Sequence, residues 1–137
     1  MAKQKVAVIK GNLLDKFQSP DRFKKLKDGW IKDNLLGLDW GPSSANTMIW
    51  KDAEKYCKDL GGRLPEVNEL QSLVDYSKHH PAINPIFLDT KTDDYYWSAT
   101  KVAGFPDYAW LVGFSYGLVG YWCKGHGGYV RSCRSSQ

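Results

Sequence analysis

The residue types here that could do covalent or metal chemistry are three cysteines, three histidines and a few clustered carboxylates. Cys57, Cys123 and Cys133 contain no CxxC pair, so their spacing supports neither a zinc knuckle nor a thioredoxin-type redox site. An odd number also prevents all three from pairing within one chain. His79 and His80, beside Asp75 and Asp89, suggest a metal cluster at first sight. Adjacent side chains point apart in most backbones, however, and the segment lacks ligand spacing, so a solvated loop is the better reading. Asp89, Asp93 and Asp94 could offer oxygen ligands to calcium. No catalytic constellation emerges, so neither enzymatic turnover nor a cofactor is expected. One stretch stands out by composition: FSYGLVGYWCKGHGGYVR (114–131) crowds glycines, which open the backbone, beside bulky aromatics, a cysteine and a histidine.

The elements that must position these residues are legible from their periodicity. TMIWKDAEKYCKDL (47–60) places Trp50, Ala53, Cys57 and Leu60 at helical spacing, with Asn46 or Thr47 as N-cap and Gly61-Gly62 as the stop. A shorter helix fits 66–76, where Val67, Leu70, Leu73 and Val74 share a face. GWIKDNLLGLDW (29–40) reads as a hairpin turning at Lys32-Asp33-Asn34, and 77–94 as a long loop containing Pro and Asp. YYWSAT, YAWLVGFS, GLVGYW and GGYVRSCR then read as four short strands. Trp110, Val112 and Phe114 alternate toward the core, with Leu111, Gly113 and Ser115 facing the other way. Helices followed by consecutive antiparallel strands make an α+β order, not a βαβ repeat.

At 137 residues and 42% hydrophobic content the chain is sized for one domain. No run approaches transmembrane length, so no membrane insertion is expected. The N-terminus lacks the pattern of a signal peptide, which is compatible with a cytoplasmic chain and leaves its localisation open. Residues 1–32 carry nine Lys or Arg against three Asp, while the remainder carries ten against twelve acids. Such an arm could touch phosphate, but lysines solvating a small surface extension are the better reading, and no nucleic-acid partner is expected.

GLDW (37–40), AEKYC (53–57), GGRLPEVNEL (61–70), LVDY (73–76), YYWSAT (95–100) and a closing YVR..R together resemble the C-terminal domain of collagen-like bacterial adhesins. That family is similar in fold to C-type lectins and to the formylglycine-generating enzyme. The resemblance implies a C-type lectin-like α+β domain over residues 23–137, two helices packed on short antiparallel strands, after a basic extension or strand at 1–22. The family's scaffold positions stand here as Trp110, Val112, Phe114, Gly117, Val119, Lys124, Tyr129, Val130 and Arg131. Between them sit residues without common chemical character. A scaffold kept around such a scrambled face resembles the variable proteins of diversity-generating retroelements, whose lectin-like surface is diversified to bind a protein or glycan.

On that resemblance the ligand-binding residues are Asp107, Tyr108, Leu111, Gly113, Ser115, Tyr116, Leu118, Tyr121, Trp122, Cys123 and His126. Tyr108, Tyr116, Tyr121 and Trp122 would act as anchors, with Ser115, His126 and Asp107 as directional hydrogen-bonding groups. The alternatives are a fixed-specificity lectin or adhesin domain binding polysaccharide and, more remotely, an enzyme of the formylglycine-generating type, which needs a close cysteine pair that Cys123 and Cys133 do not supply. The EPN or QPD tripeptide and the WND triplet of calcium-dependent sugar binding are absent, so calcium-independent recognition is expected. The resemblance also implies a disulfide between Cys57 and Cys133, with buried free thiols as the alternative. Arg131 and Arg134 are expected to pair with acids such as Glu66 or Glu69, tying the last strand to the second helix.

Overall fold

Residues 12–137 are described by the computed structural model. The chain runs through α1 (Leu13–Phe17), β1 (Phe23–Lys25), β2 (Ile31–Asp33), β3 (Leu38–Ser43), α2 (Trp50–Asp59), α3 (Val67–Gln71), β4 (Tyr95–Val102), β5 (Phe105–Gly113), β6 (Leu118–Cys123) and β7 (Arg131–Ser135). One antiparallel sheet has the order β1-β2-β3-β7 and a second the order β4-β5-β6. This is an α+β architecture of two antiparallel sheets in which the last strand returns to pair with the third. No helix among the described residues is long and apolar enough to cross a membrane.

Local chemistry sets most of these boundaries. α2 buries Trp50, Ala53 and Cys57, as helical spacing predicts, but Leu60 lies beyond the last turn and is exposed. α3 stops at Gln71, well short of the predicted residue 76. The Ser72 hydroxyl donates to the Glu69 carbonyl, and Val74 leaves to bridge Ile83. The first hairpin turns at 34–37, beginning two residues later than the sequence suggests. Asp33 is a buried strand end whose Oδ1 accepts the Leu35 and Leu36 N–H groups, and Gly37 takes the positive φ of +68° that closes the turn.

Asp33 also receives Arg22, whose Nε and Nη2 donate to its two carboxylate oxygens at 3.0 and 2.8 Å. Both side chains are 0% exposed. Arg22 Nη1 further donates to the carbonyls of Phe17 and Ser72, and Gln18 Nε2 to that of Val74. A boundary drawn after residue 22 thus cuts through a buried ion pair that joins α1 to the sheet.

Two hydrophobic clusters lie on opposite faces of β4 and β5. Trp40, Leu70, Phe87, Tyr96, Val112 and Phe114 belong to one. Trp50, Ala53, Cys57, Trp97, Leu111 and Val130 belong to the other. Because the sheet is covered on both sides here, neighbouring residues on one strand are buried together, in contrast to the one-faced pattern expected of an antiparallel sheet with a solvated side.

Strand β7 corrects three expectations. Cys57 and Cys133 are buried free thiols, without the implied disulfide. Cys133 packs with Trp40 and Leu38 in the first cluster while Cys57 belongs to the second, beside Trp50 and Trp97. Burial pushes the Cys57 thiol up to about 11 and the Cys133 thiol up to about 12. Arg131 meets Asp89 at 2.8 Å and Arg134 meets Asp28 and Asp39, while Glu69 is taken by Arg63 and Glu66 caps α3.

Candidate ligand-binding surface

The outer halves of β5 and β6 extend past both core clusters. Their register is continuous, pairing Tyr108 with Cys123, Trp110 with Tyr121, Val112 with Val119 and Gly113 with Leu118. Directly paired residues share a face of the sheet. Tyr108, Trp110 and Tyr121 therefore stand together, and Phe105 joins them: ring centroids are 6.3 Å apart for Phe105 and Tyr108, 6.0 Å for Tyr108 and Tyr121, and 5.4 Å for Trp110 and Tyr121. Trp122 lies on the other face, in edge contact with the His126 ring at 4.9 Å.

The end beyond β6 is tied to α2 through the backbone. Trp50 N–H donates to the Lys124 carbonyl, and the Lys124 ammonium lies 4.1 Å from the Trp50 ring centroid. A cation over an indole face is held by the ring quadrupole. The segment following β6 is thereby anchored while its neighbours project outward.

Of the eleven residues singled out in the sequence, Asp107, Tyr108, Tyr116, Leu118, Tyr121, Trp122 and His126 are exposed, and Ser115 and Cys123 are half-buried. Leu111 and Gly113 are corrected. Leu111 is 4% exposed and packs with Trp97 and Val130 in the second cluster. Gly113 is buried beneath Tyr95, whose ring carbons would lie 3.0 to 3.2 Å from an added Cβ. Trp110 departs the opposite way, half-buried beside Tyr121 instead of in the core.

Loop residues distant in sequence complete the surface. Tyr116 sits between His79, stacked at 5.9 Å, and His80, in edge contact at 4.7 Å. His80 is held there twice by Ser115, through its backbone N–H to the Ser115 carbonyl and a 2.7 Å bond between Nδ1 and Ser115 Oγ. Asp93, Asp94 and Tyr95 face Ser115, Tyr116 and Leu118 across a small pocket of about 80 Å³. Asp93 is partly engaged, accepting the Tyr129 hydroxyl at 2.9 Å. Phe105 carried no distinguishing sequence signal, Val119 was expected as a scaffold position yet is exposed, and the His79 and His80 pair was visible only as a curiosity of the loop.

Among the described residues, no group of three or more His, Cys, Asp or Glu side chains is arranged to hold a metal ion. A second cleft, about 590 Å³, lies between α1 and the segment after α3, lined by Phe17, Gln71, Val74 and Tyr76. It contains none of the eleven residues. In comparison with known proteins, a model of the Lcl C-terminal domain matches residues 29–134. No curated protein matches the chain.

Proposed function

We propose, from the premise that this chain belongs to the Lcl C-terminal domain family and is a C-type lectin-like binding module, that it displays a diversified recognition surface of the kind carried by retroelement variable proteins. The β5–β6 edge is that surface, and its target is a protein or glycan. One observation carries the reading: Asp107, Tyr108, Tyr116, Leu118, Tyr121, Trp122 and His126, spanning acid, imidazole, aliphatic and aromatic types, are exposed along the β5–β6 hairpin and its turns, while the inner half of β5 is locked between two cores.

Recognition follows from ordinary surface chemistry. Tyr108, Tyr116, Tyr121 and Trp122 offer large, rigid contact area at low conformational cost, and their polar ends can find partners at a wet rim. Asp107 and His126 supply directional hydrogen bonds around them, and no step of bond making or breaking is assigned. Binding is proposed to be calcium-independent.

The test is a combinatorial library at Tyr108, Ser115, Tyr116, Leu118, Tyr121, Trp122 and His126, displayed and selected against panels of folded proteins and polysaccharides. Most members should fold, and selection should yield clones with new specificities. A library that mostly unfolds sinks the reading. Genomic DNA offers an independent check: a near-copy of the segment encoding 105–134, differing mainly at adenines and lying beside a reverse transcriptase, is the expected neighbour.

A further inference from the structure

We infer that the outer edge of β6 binds an extended polypeptide by strand addition, with the segment antiparallel to β6, acidic near its own N-terminal end and basic near its C-terminal end. This rests on the recognition reading above and narrows the partner to a peptide strand.

Backbone parity identifies the free groups. Lys124 N–H donates to the Asp107 carbonyl at 2.9 Å, one step beyond the Tyr108–Cys123 pair. Hydrogen-bonded pairs alternate along an antiparallel ladder. Leu118, Gly120 and Trp122 therefore turn their peptide groups toward β5, and Val119 and Tyr121 turn theirs outward. Among the described residues β5 is the only strand paired with β6.

Among the described residues the edge lacks the usual guards. Proteins blunt exposed edges with Lys, Pro, bulges, short strands or a covering loop. Leu118–Cys123 has no charged residue and no proline, and its six-residue register to β5 has no bulge. Apolar side chains rise on both sides of it, Val119 and Tyr121 on one face and Leu118 and Trp122 on the other, with Tyr121 55% and Leu118 60% exposed. An added strand sends alternate side chains to each face and would meet an apolar wall on both.

Charge sets the ends expected of the antiparallel guest. Asp93 and Asp94 flank Leu118 at one end. At the other stand Lys124 and Lys101, the latter level with Trp122 through Ala109, with Asp107 offsetting one of the two. A strand antiparallel to β6 begins at the lysine end and finishes at the aspartate end. Its first residue is favoured as an acid and its last as a base.

An array of hexapeptides of the form Asp-X-X-X-X-Lys, with X drawn from Val, Thr, Phe and Tyr, probes the full chain directly. Binders should appear, and exchanging their terminal charges should weaken them by about tenfold. Methylating alternate amide nitrogens removes donors while keeping side chains, so one set of positions should abolish binding and the other set should not. Val119→Pro removes an outward N–H and should abolish binding, whereas Val119→Ala retains it. If Val119→Pro unfolds, the methylated peptides decide. Equal binding of both methylated sets overturns the inference. So does a dimer in ultracentrifugation that Val119→Pro abolishes, because a second copy then covers the edge. Binding seen only after deletion of residues 1–11 overturns it as well, since the chain's own segment is then the occupant. If the displayed library yields binders while the array yields none, strand addition falls and the recognition reading stands. If both fail, both fall.

Discussion

Truncating Val112 or Phe114 to alanine removes side chains that are at most 1% exposed, and the lost burial and resulting cavity should cost about 2–5 kcal/mol in urea denaturation. Leu111→Ala belongs in the same class, because Leu111 fills the space between Trp97 and Val130. Tyr116→Ala and Tyr121→Ala should stay within about 0.5 kcal/mol, as surface substitutions usually do. The thiols give a second test at this scale. Mass spectrometry of the unreduced protein after alkylation in denaturant should find all three cysteines free. Burial favours the neutral thiol of Cys57 and Cys133, so above the ordinary value of 9.0 the unfolded chain releases protons that the folded chain keeps. Stability then falls as pH rises from about 9 toward 12. Replacing both cysteines with alanine should flatten that part of a stability-against-pH profile.

At the scale of elements, the Arg22–Asp33 pair is the joint between α1 and the first sheet. Deleting residues 1–19 keeps both partners, and a cooperative thermal transition is expected. Extending the deletion through Arg22 leaves the Asp33 carboxylate buried against Trp40 Nε1 without its counter-charge. Breaking such a pair from one side typically costs about 3–5 kcal/mol. The longer truncation, and Arg22→Ala in the full chain, should therefore lower the melting temperature sharply. If all three proteins melt alike, α1 and its arginine are dispensable. The β5–β6 hairpin behaves differently, because its outer half makes few core contacts and its inner half is held from both sides.

For the whole molecule, this division predicts how far the surface can be rewritten. Substitutions spread over Tyr108, Ser115, Tyr116, Leu118, Tyr121, Trp122 and His126 should leave most library members with wild-type-like melting behaviour while target binding changes from clone to clone. Adding Leu111 or Gly113 to the library should collapse the folded fraction, the first through a cavity and the second through collision with the Tyr95 ring. Circular dichroism melts of randomly picked clones distinguish the two libraries. Equal folded fractions would show that the two buried positions do not constrain the domain.

Local pattern alone determined a good deal. The 3.6-residue spacing of Trp50, Ala53 and Cys57 specified the α2 core face, and aromatic strands punctuated by glycine specified β4 through β7 in order. Tyr108, Tyr116, Tyr121 and Trp122 were equally legible, since they sit on the outer half of the β5–β6 hairpin and its turn, where little competes with solvent. Tertiary structure decided what periodicity could not. Strict alternation assumes one wet face, and it failed at Leu111 and Gly113 because a core covers each side of β5 there. Arg131 chose Asp89, 42 residues away, over the expected Glu66 or Glu69, because β7 pairs with β3 and brings Arg131 to the 87–90 loop. The same return packs Cys133 against Trp40 and Leu38, in a different cluster from Cys57. Sequence spacing reports which side chains share an element's face. Which faces become buried, and which charges meet, depends on where distant segments dock.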